Sequence, residues 1–502
     1  MEDRYIAAVD MGTSKIALTV AKISGDDVTI VYYKERPADG IKNSAVYNPM
    51  KAETPIRQAI AEAEDELKIK IMQVVVGLPR CDVRQEAATA SVKRTNPDES
   101  ITREEIELLK DAAREQSPIE NHENEILYGA VAQSFSDDEN FQLIENDIIG
   151  VISNKLDGNF KLFIGKKNPV RTIDKIFNNL GIAIARKYFI PNSQAKAVLT
   201  EDEMNGGVAL VDFGAGATSV TIYEGKIMRH YAAIPFGGNV ITGDITSECG
   251  ISPRLAEQIK YAFGACMPEK LQTLGEKTIQ IDGSEVEGLK QIPVKYLSEI
   301  ITARVKEIID AILYEIQSSG LADSLRNGVV LTGGGANLCN IVSYIKEISG
   351  YNVRIGRPRH KVSADGCSNV FEPAATASVG MILSAKDDGL LSCVDPVETP
   401  VSEASDGLDV ILPEPAAPVQ DTAAGAAAAE EAAAPAIPED AEEGEGGTLF
   451  PGEQVPKDPA KEPKKGGTRP GGTKKIGRLT ITWKKILGFV DTMTNDIDKE
   501  QV

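Results

Sequence analysis

Short apolar runs broken by glycine-rich turns dominate the chain as far as about residue 392. The stretch 5–20 (YIAAVDMGTSKIALTV) reads as a strand, a turn and a returning strand. Its apolar run stops at Asp10 and resumes after Gly12, Thr13, Ser14 and Lys15. The same arrangement recurs at 208–223, where an apolar run ends in Asp212 and resumes after Gly214, Gly216 and Thr218. Two such hairpins, about 200 residues apart, point to an internal duplication with one turn from each half facing a shared cleft. A third turn, Gly333-Gly334-Gly335-Ala336-Asn337, follows an apolar strand at 328–331 and is expected to open a helix over 338–348.

Further elements follow from spacing. Strands are expected at 28–33 and 74–77, and a helix over 54–68 with Ile56, Ile60, Ala63 and Leu67 on one face. Residues 83–165 differ in character, with a charged helix over 102–116 behind Ser100, strands near 126–133 and 161–164, and an acidic loop at 136–140. Helical spacing covers 168–185, followed by a short strand at 187–190 and a helix at 193–199. Helices are expected over 252–264 and 294–317, the second burying Leu297, Ile300, Ile301, Val305, Ile308, Ile309 and Ile312 and leaving Arg304 and Lys306 outside. In the helix over 372–383, Ala374, Ala375, Ala377 and Gly380 permit close packing, as a hinge between two lobes requires.

The pattern then changes. Residues 394–475 are rich in Pro, Ala, Glu and Gly and are expected to be disordered. Beyond them, 476–495 has helical periodicity. Leu479, Trp483, Ile486, Leu487, Val490 and Met493 share one stripe, Phe489 borders it, and Lys484 and Lys485 flank it. A basic run precedes this helix, and Trp483 is the chain's only tryptophan. The form is that of an in-plane amphipathic anchor for an anionic membrane surface; the competing reading is a helix that docks on protein.

Charge and cysteine usage narrow the choice. Lys+Arg number 54 against 75 Asp+Glu, a net charge of −21, which disfavours a nucleic-acid partner. The six cysteines are widely spaced without a CxxC pair and read as small thiols in a reducing compartment. The first residues carry no signal-peptide pattern, and no apolar run reaches the ~18 residues of a spanning helix. A cytosolic or peripherally bound protein is expected.

The turns suggest chemistry. Gly12, Gly214 and Gly216 let backbone N–H groups approach an anion closely. Asp10 and Asp212 at the turn mouths repel phosphate unless a divalent cation intervenes, and the oxygen chemistry of Mg²⁺ suits that place, usually through water. Glu257 and Lys260 lie three apart on one helix face; spacing alone makes them an ordinary solvent ion pair.

The order of these turns resembles the actin-like ATPases, and the segments RHYAAIPFGGNVIT (229–242), AEQIKYAFG (256–264), VLTEDE (198–203) and VLTGGGANL (330–338) resemble the FtsA family of bacterial cell-division proteins over about residues 4–392. The resemblance implies an α/β fold: a duplicated, two-lobed, ribonuclease-H-like ATPase with an inserted α+β subdomain. It divides the chain into a first-lobe core (1–82 with 166–205 and 364–393), an inserted subdomain (83–165), a second-lobe core (206–245 with 315–363), a small subdomain closing on the nucleoside (246–314), a linker (394–475) and a membrane-targeting helix (476–495).

ATP and Mg²⁺ are the implied cofactors. Asp10 and Asp212 would hold Mg²⁺ through water, while Gly12, Thr13, Ser14, Lys15, Gly214, Gly216 and Thr218 cradle phosphate. Gly333, Gly334, Gly335 and Ala336 would pack on the nucleoside, with Glu257 on the ribose and Lys260 along the sugar or base. The stretch Asn192-Ser193-Gln194-Ala195 holds no acid to orient an attacking water; Gln194 is the best substitute, so hydrolysis is expected to be slow at most. The implied partners are the C-terminal peptide of FtsZ near Arg304 and Lys306, further copies of the chain in a filament, and other division proteins on the inserted subdomain. The implied place is the cytoplasmic face of the inner membrane at midcell. A pilus-assembly adaptor or a sugar kinase of the same clan stands as the alternative.

Overall fold

The computed structural model describes residues 3–396, apart from 95, 97, 141, 282–289, 359 and 360. The linker beyond 396 and the amphipathic helix carrying Leu479, Trp483, Lys484, Lys485, Ile486, Leu487, Phe489, Val490 and Met493 lie outside the described residues.

The first lobe begins with β1 (Arg4–Met11), β2 (Lys15–Ser24) and β3 (Asp27–Pro37), paired antiparallel in sequence order. β1 and β2 are buried along most of their length, as central strands covered on both faces must be. Helix α1 (Pro49–Leu67) packs on this sheet through Ala52, Ile56, Ala59, Ile60 and Ala63. It starts earlier than the expected residue 54. Asn48 caps it by accepting from the Lys51 N–H at 3.2 Å, and Pro55 sits inside the helix at the cost of one backbone bond. β4 (Gln73–Gly77) lies parallel to β1 on its free side.

The insertion comprises β5 (Arg84–Lys93), α2 (Arg103–Glu115), β6 (Glu125–Ser136) and β7 (Lys155–Lys166), with strand order β5-β7-β6. Thr102 and Glu105 form a capping box at the start of α2, so the cap is Thr102 rather than Ser100. Spacing missed β5, because its alanines and polar residues carry little strand signal. Ile106, Leu109, Phe135 and Phe160 make a separate small core. Helix α3 (Lys167–Leu180) and β8 (Ala183–Tyr188) return to the first sheet, β8 parallel to β4. The helix expected to run to residue 185 stops at Gly181, whose φ of 70° ends it in the left-handed region; the residues after it pair as a strand.

α4 (Ile190–Val198) leads to the second lobe, β9 (Val208–Phe213), β10 (Thr218–Glu224) and β11 (Ile227–Ile234), followed by α5 (Gly238–Cys249), α6 (Pro253–Phe263), α7 (Val294–Ser318), β12 (Val329–Thr332), α8 (Ile341–Ser349), β13 (Val353–Ile355) and α9 (Thr376–Asp387). The two lobe sheets have the same layout. β8-β4-β1-β2-β3 is matched by β13-β12-β9-β10-β11: three antiparallel strands in a row, then two parallel ones beside the first. Ser363–Ala364 adds to β3.

Two helix starts differ from expectation. α8 begins at Ile341, not 338, because the Cys339 carbonyl accepts from Cys266 N–H at 2.8 Å and holds the chain extended. α9 begins at Thr376, after a single 3₁₀ turn at Pro373–Ala375. All six cysteines are free; Cys249, Cys266 and Cys393 are buried, whereas Cys81, Cys339 and Cys367 are partly exposed. Among the described residues no helix is long and apolar enough to cross a membrane.

Candidate functional site

The two hairpin turns share one backbone hydrogen bond and one register. Gly12 N–H donates to the Lys15 carbonyl at 2.9 Å, and Gly214 N–H donates to the Ala217 carbonyl at 3.0 Å. A Cβ at Gly12 would lie 2.8 Å from that carbonyl and one at Gly214 would lie 2.6 Å from its own, so both turns require the missing side chain. Asp10 pairs with Ala17 and Asp212 with Ser219, the same register offset in both copies. The tips meet: a Cβ on Gly216 would lie 2.6 Å from Thr13 Oγ1. That oxygen accepts from Ser44 N–H at 3.0 Å. Thr218 donates its hydroxyl to the Phe236 carbonyl at 3.0 Å. Lys15 turns aside, ion-paired with Glu35 and 3.4 Å from the Tyr33 hydroxyl.

Asp10 and Asp212 are 7 % and 3 % exposed. Between them stands a residue that spacing did not single out, Arg80. Its Nη1 is ion-paired with Asp212, and its Nη2 lies 3.9 Å from Asp10. Its carbonyl accepts from the Tyr231 hydroxyl at 2.6 Å. Burial raises the Asp10 carboxyl above its ordinary range, against the pull of Arg80 and Lys15. Burial pulls the Arg80 guanidinium down, but Asp212 and Asp10 outweigh it and the net shift is upward. One sequence signal for Arg80 existed. It follows Pro79 just beyond β4, and strands parallel to β1 deliver their C-terminal ends to the edge where Asp10 sits.

Two buried carboxylates on facing turns are hard oxygen donors, which fits a divalent cation that keeps most of its water, as Mg²⁺ does. The guanidinium occupies that gap, so a cation enters only if Arg80 leaves Asp212. A cavity of about 10 Å³ beside it, lined by Asp10, Ser44, Leu78, Arg80 and Ile173 among others, has room for roughly one water.

The third turn closes on the second hairpin. Gly333 has φ 83°, and a Cβ there would run into the Asp212 carboxylate and the Phe213 carbonyl. Gly335 lies on the Phe213 ring, and Ala336 is buried. From α6, Lys260 pairs with Glu257 at 2.7 Å and donates to the Gly238 carbonyl at 2.9 Å and Thr242 Oγ1 at 2.8 Å. Gly238 N–H in turn donates to the Gly214 carbonyl at 2.9 Å. Glu257 and Lys260 are therefore tied through α5 to the Gly214 turn; they are no isolated solvent pair.

Gln194 is placed otherwise. It is 2 % exposed, and its amide donates to Thr376 Oγ1 at 2.8 Å, across the α4–α9 contact. Arg304 grips Asp244 of α5 at 2.5 and 2.9 Å and also pairs with Glu307. Lys306 pairs with Asp310 at 2.7 Å.

The family model described as "Cell division protein FtsA" matches residues 209–380. The chain is 30% identical to cell division protein FtsA of Neisseria meningitidis serogroup B over 387 residues, 76% of this chain and 91% of that protein. It is 28% identical to FtsA of Streptococcus pneumoniae serotype 2 over 355 residues, 70% and 76% of the two chains. Among solved structures, a chain of the PilM-PilN type IV pilus biogenesis complex matches with a TM-score of 0.53 and 15% identity, over 76% of this chain and 98% of that one, which is a likeness of fold alone. The duplicated hairpin sheets are those of the actin-like fold, and with three-tenths identity along nearly all of a relative's length the chain belongs to the FtsA family of cell-division proteins.

Proposed function

We propose that this chain is an ATP-binding, actin-like protein that polymerises and tethers FtsZ filaments to the cytoplasmic face of the membrane at the division site, and recruits other division proteins through its inserted subdomain. The supporting observation is the meeting of two hairpin turns of the same layout, each with its carboxylate, in a chain of the FtsA family. The turns at Gly12–Lys15 and Gly214–Thr218 take the phosphates, and the Gly333–Ala336 turn with Glu257 and Lys260 takes the nucleoside. Asp10 and Asp212 hold Mg²⁺ through water once Arg80 withdraws; the metal neutralises phosphate charge. Gln194 is committed to Thr376, which supports slow hydrolysis and a nucleotide that acts chiefly as a conformational ligand.

Membrane attachment rests on the stripe Leu479, Trp483, Ile486, Leu487, Val490 and Met493. Six large apolar groups, half buried, contribute on the order of 5–8 kcal/mol before ordering costs. A single copy binds reversibly, whereas a polymer carrying many stays. The test is co-sedimentation with anionic vesicles, plus and minus ATP and Mg²⁺, of the full chain and of one ending at Lys475. The full chain is expected to pellet and recruit FtsZ, and the shortened one to remain in solution. If both stay soluble, the membrane reading is wrong: the helix docks on protein, and the pilus-type or another partner-binding reading moves ahead.

A further inference from the structure

Arg80 fills the position in which the nucleotide reading places a metal ion. It reaches both hairpin carboxylates, its side chain is only 12% exposed, and those of Asp10 and Asp212 are 9% and 4% exposed. Two carboxylates this deeply buried and this close repel each other and are costly to keep charged without a counter-ion. Arg80 supplies it. A guanidinium, unlike a hydrated metal, also offers five N–H donors in a planar fork that matches phosphate as well as carboxylate. The backbone of Arg80 is pinned by the Tyr231 hydroxyl at 2.6 Å, and Tyr231 is itself held by Gln85, which accepts from its N–H at 3.0 Å. The root of the side chain is thus fixed at the edge of the cleft.

We propose that Arg80 is a specificity-determining residue of the cleft, a built-in cation that lets it take a nucleoside di- or triphosphate without a divalent metal. The inference rests on the nucleotide reading above. Without metal, Arg80 stays between the carboxylates and lends its free donors to the phosphate, screening it from Asp10 and Asp212. With metal present, the hydrated ion takes the carboxylates, and the charge of Arg80 is no longer needed there. The contributions of Arg80 and of the metal thus overlap, and each is worth less when the other is present.

The experiment measures ADP affinity of the full-length chain by equilibrium dialysis, in EDTA and in saturating Mg²⁺, for wild type, Arg80→Ala and Arg80→Lys. In EDTA, Arg80→Ala is expected to lose about tenfold or more, the usual weight of a charge-assisted contact, whereas in Mg²⁺ it should lose less than about threefold. Arg80→Lys keeps the charge without the fork and should fall between, with the same suppression by Mg²⁺; it also serves if the alanine variant fails to fold. Equal losses in EDTA and Mg²⁺ would mean a packing role and overturn the proposal. So would wild-type binding that is absent in EDTA but present in Mg²⁺, which leaves the nucleotide reading intact. Wild type that binds ADP in neither condition overturns both.

Discussion

Thr13 and Gly216 touch across the cleft. A Cβ built on Gly216 lies 2.6, 2.7 and 2.9 Å from the Oγ1, Cγ2 and Cβ atoms of Thr13, so the tips of the two duplicated hairpins are in van der Waals contact and glycine is the residue that permits it.

Gly216→Ala therefore forces the two turns apart or drives Thr13 off its rotamer. Overpacking of this kind costs about 1–3 kcal/mol. Thermal melting should show a lowered Tm, and Thr13→Ala, which removes two of the three opposing atoms, should restore part of it. An unchanged Tm in the single variant would mean that the tips do not meet in solution.

Gly380 of α9 faces α4 in the same intolerant way. A Cβ there would collide with the Ser193 carbonyl oxygen and lie 2.8 Å from the Gln194 nitrogen, both backbone atoms that cannot turn aside. Helix propensity favours alanine over glycine by about 1 kcal/mol, whereas the clash costs about 1–3 kcal/mol or more. The clash wins, and Gly380→Ala should lower the urea midpoint. A neutral or stabilising result would show that α4 and α9 are more loosely packed.

His230 sets a pH limit. Among the described residues its buried Nε2 has no hydrogen-bond partner; it lies 3.9 Å from Glu315, with Lys161 nearby. Burial, reinforced by Lys161, lowers its pKa from 6.5 to about 4. The unfolded chain thus binds this proton below pH 6.5 and the folded chain only near 4, so the stability His230 affords is present above 6.5 and is lost as pH falls through that window. The loss is about 3 kcal/mol at most. Urea titrations between pH 7 and pH 4 should show a flatter decline for His230→Gln than for wild type. Parallel declines would place the acid sensitivity on other groups.

Much of the site was legible locally. Asp10 and Gly12, like Asp212 and Gly214, stand two apart between apolar runs, and a hairpin of that size is governed by the sterics of its own few residues. Local reasoning failed where termination competes with periodicity. Apolar spacing carried a helix past Gly181, but a left-handed glycine and a partner strand at Gln73 ended it. It failed also at β5, where pairing with β7 overrides weak strand propensity.

By itself, then, the sequence determined the two hairpins, the third glycine turn, the duplication, the apolar faces of the helices and the family resemblance, because each depends on residues close together in the chain. Only the tertiary structure decided that Arg80 reaches an aspartate 132 positions away, that Gln194 is committed to Thr376 across 182 positions, and that Arg304 grips Asp244. These are pairings of charge and hydrogen-bonding capacity under burial. A side chain must satisfy its polar groups with whatever the fold brings alongside, and that neighbour is set by the order of strands in the sheets, which no local window contains.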